Sequence, residues 1–476
     1  MKTRLFLGVD LGTQSTKVVV YDLVKKKIVA VGHAPHALTS RADGSREQKA
    51  EWWIAALKKA LSQVPAALKK NLLGMGVSGQ QHGFVPVDSE GKVLHPVKLW
   101  CDTATAVECA EITTRFGGED KLIREVGNPI LPGYTASKIL WFKKNHPELY
   151  AKLHRILLPH DYLNFFLTGE AVMEWGDASG TGLLDIAQRR WSPEALRALD
   201  PGRDLAKILP RLIQPHELAG KIHAKAAAFF ALPVGLPVSA GGGDNMMGAI
   251  GTGTNRSGTL TLSLGTSGTL YGYSDKPMID QNGILAAFCS STGGWLPLLC
   301  TMNCTVATEL TRGLLKIPLP EMEKLASKVP AGSQGVLTLP FFNGERTPNL
   351  PNGRGTITGL TPANFSKENL IRSAMESAVL GLRYGLESFT SLGFEPKEIK
   401  IIGGGAKSKL WRQMTADIFN LRVVSPVQEE AAAFGAALQA AWAVESSNGK
   451  VSDLNKILDA HIAFDKAKEA RPNAKN

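Results

Sequence analysis

The stretch "FLGVDLGTQSTKVVVYD", residues 6–22, sets two apolar runs on either side of a short polar turn. Two apolar runs joined by a turn of Gly and hydroxyl residues read as a β-hairpin. The turn offers donors to a phosphate: the backbone N–H groups of Gly12 and Thr13, the hydroxyls of Thr13, Ser15 and Thr16, and the charge of Lys17. Asp10, in the same stretch, would repel that phosphate. A divalent cation reconciles the two, because Mg²⁺ takes hard oxygen ligands from carboxylates, waters and phosphates together. An ordinary hairpin also uses Asp and Gly for conformational reasons, so the stretch alone leaves both readings open.

The plan recurs half a chain later. "GTLTLSLGTSGTLYGY" (258–273) again runs apolar strand, "LGT", a hydroxyl and a second apolar strand. Two related domains follow as the expectation, 1–251 and 252–476, each offering one hairpin to a ligand held in a cleft between them. At 476 residues the chain is too long for one core, which agrees. Strand-like runs such as "LLGMGVSG" (72–79) alternate with helical patterns such as "EWWIAALKKALSQVPAALKK" (51–70), the latter interrupted at Pro65. This alternation predicts an α/β fold with a largely parallel or mixed sheet. The charged, small-residue tail from 460 is expected to fray.

Composition narrows the function classes. With 44% hydrophobic and 20% charged residues the chain is an ordinary globular protein. It shows no apolar run long enough to span a membrane, and Asp10 interrupts the N-terminus before a signal-peptide core develops. Five cysteines without paired spacing point to a reduced, cytoplasmic protein. The net charge of +11 is scattered, with no basic arm and no basic-aromatic platform, which argues against nucleic acid as partner.

Two stretches carry candidate chemistry. In "SAGGGDNMMG" (239–248), three glycines clear the approach to Asp244, which stands where a helix begins. As an N-cap it would need no such glycines. As a base it would accept a hydroxyl proton, with the helix start favouring its ionised form. In "GVSGQQHG" (76–83), Gln80, Gln81 and His82 have the mixed donor-acceptor capacity that suits a polyol or ketose. Asp102 in "LWCDTAT" is a further hydroxyl acceptor, with Trp100 as an apolar wall.

Together, "DLGTQSTK", "SGQQHG", "GGGDN", "LGTSG", "GERTPNLPNGRGTITGL" (344–360) and "GGGAKSKLWRQMTADI" (403–418) resemble the FGGY carbohydrate kinases, in the order that family shows. The resemblance runs from about residue 5 to 440. It implies two actin-like (ribonuclease H-like) ATPase domains closing over Mg·ATP and a sugar. By the same resemblance, Asp244 is the general base and Asp10 holds Mg²⁺. Gly12, Thr13, Ser15 and Lys17 line the first phosphate hairpin, and Gly265, Thr266 and Ser267 the second. Gly404, Gly405 and Lys409 fall in the adenosine motif, and Gln81, His82, Asp102, Asp244 and Asn245 on the sugar side. "LLPHDYLNFFLTGE" (157–170), "DASGTGLLD" (177–185) and "FNGERTP" (342–348) resemble the branch that phosphorylates D-xylulose at O5. Two positions depart from the pattern: Thr105 replaces the arginine of a "WxDxR" motif, and Gln81 stands where that branch commonly has methionine. Both lie on the sugar side. A kinase for ribulose, glycerol, fuculose or a deoxyketose, and an actin-like or Hsp70-like ATPase, stay open as alternatives, as does a homodimer.

Overall fold

The computed structural model describes residues 3–447 and 449–474. The opening stretch is the expected hairpin. Strands β1 (Leu5–Leu11) and β2 (Ser15–Asp22) pair antiparallel with Asp10 opposite Lys17. Strand β3 (Lys27–Pro35) pairs antiparallel with β2, and β4 (Leu72–Gly79) pairs parallel with β1. Strands β5 (Leu218–Lys221) and β6 (Pro237–Ser239) complete the order β5-β6-β4-β1-β2-β3, with Gly242–Gly243 also running beside β4.

Side chains alternate across a strand, and the glycines show what covers each face. A Cβ on Gly8 would sit 1.8 Å from the Ala433 carbonyl oxygen, and one on Gly76, the partner of Gly8 in β4, would sit 2.2 Å from that of Ala436. The alanine-rich helix Ala431–Ser446 therefore lies directly on that face. Gly32 belongs to the opposite face, through its register with Val18 and Val9. A Cβ there would meet the Ala60 carbonyl oxygen of helix Ala50–Ser62 at 2.1 Å. With helices on both faces, β1 reads "LFLGVDL" and is buried almost throughout.

The repeat in the sequence becomes a repeat in topology. Strands β7 (Thr259–Leu264), β8 (Gly268–Gly272), β9 (Leu298–Thr301), β10 (Glu398–Ile402) and β11 (Arg422–Val424) order as β9-β8-β7-β10-β11. The first three form an antiparallel meander and the last two add in parallel. The path β3-β2-β1-β4-β6 of the first sheet has the same pairing senses. Leu260, Leu262, Ile399 and Ile401 pack with Met375, Val379 and Leu382 of helix Lys367–Ser391 in this second core.

The chain does not divide at one point near residue 251 as expected. One compact unit takes Met1–Asn255, Ala287–Leu296 and Glu430–Ile462, and the other takes Arg256–Ala286, Pro297–Glu429 and Ala463–Asn476. The reason is helix Ala431–Ser446, which covers the β1–β4 face and meets helix Asp244–Thr252 at close range. A Cβ on Gly435 would lie 1.9 Å from the Met247 carbonyl oxygen, and one on Gly251 would lie 1.9 Å from that of Ala431. The tail also departs from expectation. Instead of fraying, Ala470 exchanges backbone hydrogen bonds with Val423, Arg422 pairs with Glu469 at 2.7 Å, and the Asn473 amide donates to Asp417 at 2.8 Å. Among the described residues, no helix is long and apolar enough to cross a membrane.

Candidate active site

Strand register brings the two expected acids together. Asp10 of β1 and Gly242 both pair with Ser78 of β4, so Asp244, two residues on, begins its helix beside Asp10. Ser78 Oγ donates to Asp10 Oδ1 at 3.0 Å. Burial nevertheless pushes the Asp10 carboxyl up to about 6, against the pull of Ser78 and Lys17. Asp244 rises to about 7, first through burial and then through the neighbouring charge of Asp10. The helix start does not hold it ionised, as the sequence suggested; desolvation and a like charge outweigh that effect.

Asp244 is held in one orientation. Its Oδ1 accepts from the Asn245 amide at 2.8 Å and from Asn245 Nδ2 at 3.1 Å. The same Nδ2 donates to Gln81 Oε1 at 3.0 Å. Gly243 makes this possible, because a Cβ there would lie 2.6 Å from Gln81 Cγ. Gln81 Nε2 is buried without a hydrogen-bond partner among the described residues, a donor available to a ligand. His82 follows with φ +64°, a left-handed backbone uncommon outside glycine. Its carbonyl accepts from Lys138 Nζ at 2.8 Å and Thr135 Oγ1 at 3.1 Å, and its ring lies against Tyr134. Lys138 is fully enclosed, and burial brings its amine down to about 7.

Three expected residues stand differently. Asp102 is 0% exposed, with Oδ2 accepting from Lys98 Nζ at 3.0 Å and the Arg46 amide at 2.9 Å, and Oδ1 from the Ala104 amide at 3.1 Å. It fixes its loop and is not presented to a sugar. Lys17 pairs with Glu430 at 2.8 Å, and the Gly12 amide closes the hairpin on the Ser15 carbonyl at 3.0 Å instead of pointing outward. Trp100 Nε1 donates to the Thr13 hydroxyl at 2.9 Å and so braces the first hairpin.

In the second unit the Gly265 amide likewise closes on the Ser267 carbonyl at 3.2 Å. Gly403, at φ +89°, sits against the end of β7, where a Cβ would meet the Leu264 carbonyl oxygen at 2.7 Å. The hairpin 265–267 and the loop 403–405 are thus neighbours, and Lys409 opens the helix that follows.

Behind Gly79 and Gly241–Gly243 lies a group the sequence reading did not assign. His160 Nδ1 is 2.5 Å from Asp177 Oδ2, and His160 Nε2 is 3.1 Å from Asp161 Oδ1. Burial lowers the basicity of this imidazole, but Asp161 and Asp177 outweigh it and bring it up to about 9. The imidazole is thus flanked by two buried carboxyl groups, of which Asp161 is itself pushed up to about 8, chiefly by burial. Its members lie in "LLPHDYL" and "DASGTG", visible as motifs but not as a cluster, because the contact spans 17 residues of chain.

The family model for the N-terminal domain of the FGGY family of carbohydrate kinases matches residues 5–251, and that for its C-terminal domain matches 260–444. The chain belongs to the FGGY family of carbohydrate kinases. A xylulose kinase of Haemophilus influenzae is 46% identical over 98% of this chain and 96% of its own. Among solved structures, a kinase from Brucella ovis described as a xyloylose kinase superposes with a TM-score of 0.91 at 29% identity, covering 99% of this chain and 95% of its own. The xylulose kinase of Bifidobacterium adolescentis gives 0.82 at 30%, covering 96% and 99%. As an FGGY kinase, the protein has the two-domain α/β fold of sugar kinases and uses ATP to phosphorylate a carbohydrate.

Proposed function

We propose that this kinase transfers the γ-phosphoryl group of ATP to the terminal hydroxyl of D-xylulose, giving D-xylulose 5-phosphate. The names of its relatives supply the sugar. The observation that carries the mechanism is the pairing of Asp10 and Asp244 across β1, β4 and the glycine run, next to Gln81 and Asn245.

Asp244 acts as the general base. Pushed up to about 7, it is poised to take a hydroxyl proton near neutral pH. Asn245 occupies Oδ1, which leaves Oδ2 to face the sugar. Phosphoryl transfer asks mainly for positioning and charge neutralisation, so a modest base suffices. The donor set fits Mg²⁺: Asp10 is a half-buried hard-oxygen ligand whose ionised form is only partly compensated by Ser78 and Lys17, and a second carboxylate stands beside it. When bound, Mg²⁺ neutralises phosphate charge. Gln81, His82 and Asn245 orient the sugar. Thr13 and Ser15 serve the phosphates from the first hairpin, and Thr266 and Ser267 from the second, while Gly404, Gly405 and Lys409 flank the adenosine. A cytoplasmic location accords with five cysteines whose spacing shows no paired pattern.

The test is ADP release with a panel of sugars. D-xylulose should stimulate it far more than ribulose, glycerol, fuculose or a deoxyketose. Equal or stronger stimulation by another member reassigns the substrate, and no stimulation by any rejects the kinase reading.

A further inference from the structure

The sequence "DASGTG" (177–182) has no part in the chemistry above, yet it is tied to the sugar side of the site at several points. Asp177 is anchored by His160. Ser179 Oγ accepts the Cys289 amide at 3.0 Å, in the segment whose Phe288 ring lies 5.8 Å from the His82 ring. Between them, the Gly180 carbonyl oxygen is 2.9 Å from His82 Nδ1.

Gly180 sits in the turn Ser179–Thr181 with an ordinary, negative-φ backbone that any residue can adopt. The need for glycine is one of space. A Cβ there would lie 2.1 Å from His82 Nδ1 and 2.4 Å from Cε1. The main chain of His82 is meanwhile fixed by Lys138 and Thr135. The ring could not move aside without losing its contact with Tyr134 at 4.9 Å.

We propose that Gly180 is a positioning residue for sugar recognition. Its missing side chain seats the His82 ring, and its carbonyl keeps the imidazole proton on Nδ1, so that Nε2 meets a substrate hydroxyl as an acceptor. A carbonyl oxygen only accepts, so Nδ1 must donate, and the neutral ring then has its lone pair on Nε2. The pocket thereby selects a hydroxyl at that point over a carbonyl or ether oxygen. This inference rests on the reading of His82 as a sugar contact.

A double-mutant cycle tests it, with KM for D-xylulose and for ATP measured on the full-length chain. Gly180→Ala should raise KM for D-xylulose at least ~10-fold, since displacing a binding group by about 1 Å costs up to ~10²-fold, while KM for ATP stays unchanged. In a His82→Ala background the same change should cost nothing further, because the atoms it strikes are gone. Equal losses in both backgrounds would overturn the proposal and leave the sugar site standing. A normal KM for D-xylulose in His82→Ala would overturn both. Should Gly180→Ala fail to fold, the double variant must recover folding; a double variant that also fails would refute the steric link.

Discussion

Asp244 is where one residue decides most. Asp244→Asn should lower kcat by at least ~10² while leaving KM for ATP near its original value; unimpaired turnover would remove it from the role of base. Because its carboxyl is held near 7, kcat/KM for D-xylulose should rise with pH through about 7, as the carboxylate forms. The stability effect has the opposite sense. A carboxyl raised from 3.8 to about 7 binds a proton in the folded state that the unfolded chain has released, so stability falls as pH rises through that window. Asp244→Asn should therefore raise Tm at pH above 7 and change it little near pH 4; an equal shift at both would contradict the origin of the raised pKa. The stretch "GGGD" singles this residue out in the sequence, since it marks an approach cleared of side chains. It could not show the sign of the shift, which is set first by burial in the folded chain and then by Asp10, 234 residues away in sequence. The misreading of Asp102 has the same cause: Lys98 and the Arg46 amide consume it, and neither partner is implied by "LWCDTAT".

Among the elements, the contact between helix Asp244–Thr252 and helix Ala431–Ser446 matters most to the site, because the first carries Asp244. It is built on glycine. Gly435→Ala would drive a methyl group into the Met247 carbonyl. Overpacking of this kind costs ~1–3 kcal/mol, and since the shift reaches Asp244, kcat should fall as Tm falls. Lost stability with kcat intact would mean that the helix start is positioned from elsewhere. The strands and helices themselves were legible, including the hairpin at 6–22, the strand at 72–79 and the break at Pro65, because apolar periodicity and proline act locally. Which helix covers which sheet face was not, since "AAAFGAALQAAWA" is apolar all round and names no partner. The docked tail was missed for a similar reason: charge and small size suggested fraying, but Arg422 and the β11 edge give those residues partners.

For the whole molecule, the sequence repeat of "LGT" hairpins correctly announced two sheets of one topology, but not a chain that returns to its first unit after residue 429. A fragment of residues 1–255 lacks the helix that covers Gly8 and Gly76, and should show no cooperative thermal unfolding on its own; a sharp melt would contradict the assignment of helix Ala431–Ser446 to that core. Adding residues 430–462 in trans should restore the transition.

The central claim is that an ATP-dependent sugar kinase works through a carboxylate at position 244. Its most direct test is D-xylulose-dependent ADP release by the wild-type chain and by Asp244→Asn, side by side. D-xylulose should stimulate release strongly in the first and almost not at all in the second, with ATP still bound. Stimulation that survives the substitution, or that never occurs, would contradict the claim.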